Sequence, residues 1–182
     1  VESTFMIPYT KEVADYCDKF SCGDSDLDSF FSEDAFLYER ELLGKSYCWI
    51  NNTNQKKIVA IATLSYDDIK AFSLDKPSRN SFQRPIPQQK RHRSYPAVLI
   101  GRLGVNLKHQ NQGNNFGSQL MDLLKLWFVD ENNKAACRYI NVDAYNSEPT
   151  LHFYAKNGFK PLYKTEQGER EAFNIPIHEP LK

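Results

Sequence analysis

The 182-residue sequence lacks three features that would place it in a membrane or outside the cell. No apolar run approaches the ~20 residues that span a bilayer. The start, Val1-Glu2-Ser3-Thr4, lacks the pattern of a signal peptide. The cysteines have neither zinc-ribbon spacing nor the density of a secreted disulfide framework, and the histidines are scattered. We therefore predict a cytoplasmic protein with no membrane segment, no metal site and four buried, reduced thiols: Cys17, Cys22, Cys48 and Cys137.

Net charge is also lacking, since Lys and Arg number 23 and Asp and Glu number 23. This balance excludes a globally basic nucleic-acid binder. The 46-residue segment from Lys76 to Met121, however, contains no Asp or Glu. Its eight cations are Lys76, Arg79, Arg84, Lys90, Arg91, Arg93, Arg102 and Lys108. Either this segment binds a phosphate-bearing ligand, or it is an ordinary solvated face.

The length of 182 residues, of which 41% are hydrophobic, predicts a single domain over residues 1–182. Within it, residues 70–96 contain four prolines among Ser, Arg and Gln, and we predict an irregular basic insertion there. Strands and helices are predicted on both sides of it by their periodicity. One helix begins near Asp24 and is predicted to end at Gly44. Another runs from about Phe116 to Val129, with a predicted apolar face of Phe116, Leu120, Leu123, Leu124 and Trp127.

A polar turn before this last helix is the strongest chemical signal in the sequence. It reads Gln112-Gly113-Asn114-Asn115-Phe116-Gly117 and follows a strand over Ala97–Leu107. The first N–H groups of a helix have no partner within it and, with the helix dipole, they favour an anion. Asn115 is one of the few non-glycine residue types that tolerate a positive φ. The turn therefore predicts a pyrophosphate site, although such a turn alone is more often just a loop.

The chain has neither GxxxxGKS/T nor GxGxxG, which disfavours a P-loop kinase and a Rossmann domain. Instead, three segments in order resemble motifs of the GCN5-related N-acetyltransferase (GNAT) superfamily. Gln112 and Gly117 match the ends of the family's Q/R-x-x-G-x-G/A turn, while Asn115 stands at its middle glycine. Phe153–Phe159 matches F-Y-x-x-x-G-F, and the segments Ile100–Val105 and Asn141–Asn146 resemble the family's fourth and fifth strands.

The resemblance covers about residues 5–178 and implies an α/β fold of the GNAT type. This is a mixed, largely antiparallel twisted sheet of about six to seven strands, flanked by helices and splayed between strands 4 and 5. It implies acetyl-CoA as cosubstrate and no metal. The implied cofactor-binding residues are Leu103, Gly104, Val105, Gln112, Gly113, Asn114, Asn115, Phe116, Gly117, Ser118 and Asn146.

The same resemblance implies that Tyr154 is catalytic and protonates the leaving thiolate of CoA. A phenol suits this task because its ordinary pKa, about 10, lies just above that of a thiol. The alternative is a core aromatic on an apolar helix face. The general base is open among Asp143, His109 and Glu148, and no cysteine has a histidine partner that would indicate a covalent acyl-enzyme.

The predicted function is transfer of an acetyl group from acetyl-CoA to a primary amine by direct attack in a ternary complex. The acceptor would be a small molecule or a peptide. An alternative follows from Phe20–Asp24 and Leu27–Phe31, which more loosely resemble the branch of type II toxins that act on aminoacyl-tRNA. That branch implies tRNA as a partner and an antitoxin. A non-catalytic CoA-binding module and a homodimer also stay open.

Overall fold

The computed structural model describes residues 4–74, 76–83, 93–110, 115–133, 135–164 and 170–176. The strands are β1 Thr4–Pro8, β2 Lys45–Asn51, β3 Ile58–Lys70, β4 Ser94–Val105, β5 Tyr139–Tyr145, β6 Lys160–Lys164 and β7 Arg170–Pro176. The helices are α1 Lys11–Tyr16, α2 Ser25–Ser29, α3 Ala35–Arg40, α4 Lys76–Gln83, α5 Phe116–Phe128 and α6 Glu148–Lys156. A π-helical turn, Phe30–Asp34, joins α2 to α3, and short 3-10 turns follow β3 and β4.

The seven strands form one sheet in the order β1-β2-β3-β4-β5-β7-β6. Antiparallel pairs lie at both ends, with Met6 opposite Trp49 between β1 and β2, and Val142 opposite Phe173 between β5 and β7. Neighbouring strands β4 and β5 are joined through α5, and a helical crossover of this kind connects parallel strands. The mixed, largely antiparallel sheet confirms the predicted fold class.

The chain divides into two compact units. The first comprises Val1–Ser65 and Ile100–Leu123. Its core is rich in aromatic rings: Phe31 is 1% exposed and meets Phe20 and Phe30 edge to face, with centroids 5.8 and 5.6 Å apart. Cys48 and Ile61 are fully buried in the same cluster. These contacts bury one face of the α2–α3 segment.

The second unit comprises Tyr66–Leu99 and Leu124–Lys182. It has a smaller buried cluster in which Tyr95 and Tyr139 meet edge to face with centroids 6.2 Å apart. Ile69 and Ala97 complete the apolar surroundings of the two rings. Among the residues that the structure describes, no helix is long and apolar enough to cross a membrane.

The end of α3 differs from the prediction that Gly44 caps the helix. The helix ends at Arg40, and Leu42 takes the left-handed conformation with φ 57°. The N–H of Leu43 donates to the carbonyl of Tyr38 at 2.9 Å, which closes the helix end. Gly44 instead allows a close approach to β3, because a Cβ there would lie 3.1 Å from Cγ2 of Thr63.

Two further elements differ from the sequence prediction. Leu123 is 41% exposed, so the buried face of α5 is formed by Phe116, Leu120, Met121 and Leu124 instead. Within the segment predicted to be irregular, residues 76–83 form helix α4 and β4 begins at Ser94, while residues 84–92 lie outside the described residues.

Candidate functional site

The end of β4 presents one edge of its backbone away from β3. The N–H of Asn106 donates to the carbonyl of Val59 at 2.8 Å, and the side chain of Asn106 donates to the carbonyl of Ile58. Backbone groups of successive strand residues point in opposite directions, so those of Val105 and Leu103 lie on the other edge. The family resemblance implies that the backbone of Leu103 and Val105 pairs with the pantetheine arm.

Gln110 fixes this strand end to a distant loop. Its side-chain Nε2 donates to the carbonyl of Val105 at 2.6 Å and to the carbonyl of Cys22 at 2.8 Å. The N–H of Leu107 donates to the carbonyl of Ser21 at 3.1 Å. The loop before α2 is thereby held directly against the end of β4.

A carboxylate organises the same loop from its other side. Asp28 accepts hydrogen bonds from Oγ of Ser21 at 2.6 Å and from the N–H of Cys22 at 2.8 Å. Burial acts to raise the pKa of Asp28, but these hydrogen bonds outweigh it and the pKa lies below its usual value. Asp24 caps α2 by accepting from the N–H groups of Asp26 and Leu27. The segment Phe20–Asp24 is therefore held at the strand end by several hydrogen bonds.

Gly104 allows close packing here. A Cβ at position 104 would lie 3.0 Å from Cε2 of Phe31 and 3.3 Å from Sγ of Cys22. A side chain would need both of these neighbours to move by a few tenths of an ångström. The glycine thus acts through close approach, and its φ is not in the left-handed region.

Helix α5 begins as the sequence predicts. Asn115 precedes it with φ 51°, and its carbonyl accepts from the N–H groups of Ser118 and Gln119 at 2.9 and 3.1 Å. Phe116, at the first helical position, is 7% exposed and packs into the first unit, whereas Gly117 and Ser118 are partly exposed. Gln112, Gly113 and Asn114 lie outside the described residues.

Tyr154 lies in α6 of the second unit, close to a well-formed helix end. The N–H of Phe159 donates to its carbonyl at 3.0 Å and the N–H of Gly158 donates to Ala155 at the same distance, while Gly158 has φ 85°. The rings of Phe153 and Phe159 lie 5.2 and 5.4 Å from the Tyr154 ring. Burial raises the pKa of the phenol to about 12. The helix end thus accounts for the glycine and the second phenylalanine of F-Y-x-x-x-G-F.

The remaining predicted residues lie on or next to β5 and α6, or in the turn after β4. Asn146 is exposed directly after β5. Of the candidate bases, Asp143 is exposed on β5, Glu148 lies in the first turn of α6, and the ring of His109 lies 6.1 Å from that of Phe116. The geometry distinguishes none of the three, so the general base stays unassigned.

All four cysteines are free thiols. Cys22 and Cys48 are buried as predicted, whereas Cys17 and Cys137 are partly exposed. Burial raises the pKa of Cys22 and Cys137 to about 11 and that of Cys48 to about 12. Such thiols are protonated at neutral pH and are weak nucleophiles. Among the described side chains, no group of three or more His, Cys, Asp or Glu could hold a metal ion.

The cations of the basic segment have different surroundings. The guanidinium of Arg102 stacks on the ring of Phe30 at 5.0 Å and donates to the carbonyl of Gly101, so it is partly buried within the first unit. Lys76, Arg93 and Lys108 are exposed. Arg79, in α4, is partly exposed. The remaining three members, Arg84, Lys90 and Arg91, lie outside the described residues.

Comparison with solved structures identifies the fold. The chain is similar to AtaT complexed with acetyl-methionyl-tRNAfMet, with a TM-score of 0.69 and 21% identity over 96% of this chain and 95% of that one. It is also similar to a tyrosine-to-phenylalanine mutant of KacT, with a TM-score of 0.67 and 18% identity over 96% and 95% of the two chains. A third similar structure is AtaTR bound with AcCoA, with a TM-score of 0.66 and 23% identity over 97% and 95%. The chain has the GNAT fold.

No protein-family model and no curated protein matches the sequence. The GNAT fold of this chain is therefore recognised through its structure and its three short motifs. Sequence reasoning missed Gln110 and Asp28, which organise the strand end. The aspartate had a detectable signal, since it lies in the first turn of α2 among three early aspartates.

Proposed function

We propose that this chain is an acyltransferase that moves an acetyl group from acetyl-CoA to a primary amine. The observation that carries the proposal is the left-handed Asn115 at the start of α5, ten residues after the end of β4 at Val105. These are the two parts that would hold the pyrophosphate and the pantetheine arm. The fold supports the same reading, since one similar structure is described as bound with AcCoA.

The residues present fit an anionic cosubstrate. The N–H groups of Phe116 and Gly117 lie at the positive end of the α5 dipole, where a helix has no carbonyl of its own to offer them. No Asp or Glu occurs between Lys76 and Met121 to repel phosphates. Residues Gln112–Ser118 would hold the pyrophosphate, Leu103–Val105 would pair with the pantetheine arm as an added strand, and Asn146 would donate to it.

Acetyl-CoA, when bound, supplies an activated thioester that a neutral amine attacks directly. Tyr154 would hold the proton that the departing sulfur needs. Its raised pKa, about 12, keeps the phenol protonated across the physiological range. The same shift makes the Tyr154 phenol a weaker acid than an ordinary tyrosine by roughly two pKa units. Proton transfer would therefore depend more on a short distance between the hydroxyl and the sulfur than on the acidity of the phenol. The protonated thiols support direct attack without an acyl-enzyme.

The test is an acetylation assay with purified protein. Acetyl-CoA is offered with a panel of amines: a small α-amino amide, a peptide with a free N-terminus and an internal lysine, and aminoacyl-tRNA. Released CoA and the mass of the acetylated product are measured together. Transfer to any member supports an acetyltransferase. Binding of acetyl-CoA without transfer to any of them supports a non-catalytic CoA-binding module.

A second candidate is a toxin-like enzyme that acetylates the amino group of aminoacyl-tRNA. The acid-free basic segment favours it, and the similar AtaT structure is described as complexed with acetyl-methionyl-tRNAfMet. This candidate brings an antitoxin partner with it, since another AtaT structure is described as bound to the C-terminus of the antitoxin AtaR. Zero net charge favours the small-amine or peptide acceptor instead. Whether the chain forms a homodimer is tested by light scattering of the purified protein.

A further inference from the structure

A carboxylate and a buried amide meet on one face of the second unit. Nδ2 of Asn141, on β5, donates to Oδ2 of Asp67, on β3, at 2.7 Å. The other carboxylate oxygen accepts from the N–H of Asp68 at 2.8 Å. Asn141 is only 7% exposed, and its Oδ1 is buried with no hydrogen-bond partner among the described residues.

The orientation of the amide follows from its neighbour. If the Asn141 amide were turned over, its oxygen would face the carboxylate of Asp67, and two acceptors would repel each other. Nδ2 therefore faces Asp67, and Oδ1 is left as an acceptor that needs a donor. Buried polar atoms in native proteins nearly always have partners, so an exception requires an explanation, and a bound group that donates is one.

The two neighbouring carboxylates, Asp67 and Asp68, differ in their ion pairing. Asp68 forms an ion pair with Lys70, with 2.7 Å between its Oδ2 and the ammonium nitrogen. Among the side chains that the structure describes, no Lys or Arg lies within ion-pair distance of Asp67. Strand alternation places Ile69 and Tyr139 on the same face as the pair, two residues from Asp67 and Asn141. An apolar neighbourhood of this kind strengthens a charge-assisted hydrogen bond.

We propose that Asp67 and Asn141 form the binding site for the amino group of the acceptor, an inference that rests on the proposed transfer to a primary amine. A primary amine or ammonium presents two or three N–H donors at one nitrogen. The carboxylate of Asp67 and the Oδ1 of Asn141 are two acceptors linked through the Asn141 amide, whose Nδ2 donates to Asp67. The site thus recognises the amine itself, whatever molecule carries it.

The experiment is an NMR titration of the full chain with glycinamide, a small primary amine. The side-chain amide signal of Asn141 is assigned by its loss in Asn141→Leu. Glycinamide is expected to shift this signal in a saturable way, and N-acetylglycinamide, whose amine is blocked, is expected not to. Asp67→Asn removes the charge and keeps the shape. Its one amide oxygen can accept from Nδ2 of Asn141 only if the hydrogen bond from the N–H of Asp68 is given up. This variant should weaken glycinamide binding at least tenfold.

The matched control is Asp68→Asn, which removes the same charge one residue further along β3 and should leave binding unchanged. Absence of a saturable shift in the unmodified chain, or equal affinity in Asp67→Asn, overturns the inference. If a variant does not fold, the comparison of glycinamide with N-acetylglycinamide in the unmodified chain decides alone. Glycinamide binding without acetyl transfer would support the amine site and contradict the proposed acetyltransferase function. Acetyl transfer without the NMR shift would support the acetyltransferase function and contradict the amine site.

Discussion

The side-chain amide of Gln110 donates to the carbonyl of Val105, with 2.6 Å between nitrogen and oxygen. Val105 is the last residue of β4, and the same amide also reaches the loop before α2. One side chain therefore sets the position of the strand end at which the pantetheine arm is proposed to pair. It acts on binding through the backbone of Val105, as a positioning residue.

Replacing this donor should weaken both the fold and cosubstrate binding. Gln110→Leu leaves the carbonyls of Val105 and Cys22 without their donor, and should lower the free energy of unfolding by about 1–3 kcal/mol. Gln110→Glu keeps the shape but turns an ionised oxygen toward two carbonyls, so we expect a larger loss at pH 7. Urea denaturation measures both variants. A smaller loss for Gln110→Glu than for Gln110→Leu would contradict the proposed donor role.

The proposed pyrophosphate site is tested at Gly117. Gly117→Glu adds bulk and a negative charge at the start of α5, and we expect acetyl-CoA binding to disappear in calorimetry. The matched control is Leu126→Glu, which adds the same charge to an exposed position, 51% exposed, near the other end of the helix. Unchanged affinity in Gly117→Glu, with a normal melting curve, would place the phosphates elsewhere.

Tyr154→Phe should retain acetyl-CoA binding and lower kcat about 10²-fold, the lower end for loss of a general acid. The ring still packs between Phe153 and Phe159, so the fold should be intact. Tyr145→Phe, on an exposed tyrosine of β5, is the control for loss of a hydroxyl. Equal turnover in Tyr154→Phe would make Tyr154 a core aromatic.

The raised pKa of Tyr154 gives a second measurement on the same residue. Because the folded pKa is about 12 and the unfolded value is about 10, Tyr154 stabilises the fold fully below pH 10, and that contribution is lost as the pH rises toward 12. A tyrosinate absorbance titration of the chain and of Tyr154→Phe should differ only at the alkaline end. A difference near pH 10 would contradict the burial of this phenol.

Much of the fold was predictable because its signals are local. Periodicity predicted α5 to within one residue, and Asn115 does take the positive φ that its residue type allows. Two predictions were wrong, the helix cap at Gly44 and the burial of Leu123, because tertiary packing determines both. Leu42 takes the left-handed conformation that glycine usually adopts. The face of α5 that is buried depends on the order of the strands, which the sequence of α5 does not contain.

The site was predictable only where a motif carried it. The turn before α5 and the F-Y-x-x-x-G-F helix end each lie within a few residues of sequence. Gln110 and Cys22 are 88 residues apart, and Asn141 and Asp67 are 74 residues apart. Pairs like these are created by the order of strands in the sheet. No pattern within either segment could indicate them.

The last prediction concerns the basic segment and the tRNA reading. If charged tRNA is the acceptor, several phosphate contacts should make its binding steeply salt-dependent, with a slope of about −0.7 to −0.9 per contact. Replacing Lys90, Arg91 and Arg93 by Ala should flatten that slope by about two to three units. Acetyl-CoA affinity should be unaffected, because these residues precede the pyrophosphate turn by about twenty positions in the sequence. Filter binding of aminoacyl-tRNA across a salt series measures the slope.

The control triple variant replaces Lys19, Lys45 and Lys56, which are exposed and lie outside the basic segment, so it removes the same net charge. A slope that depends on overall charge would change equally in both triple variants, whereas a tRNA surface formed by the basic segment changes only in the first. Arg102 should contribute little in either case, because its guanidinium is already stacked on Phe30. Absence of tRNA binding at low salt, or identical slopes, would leave the small-amine or peptide acceptor as the better reading.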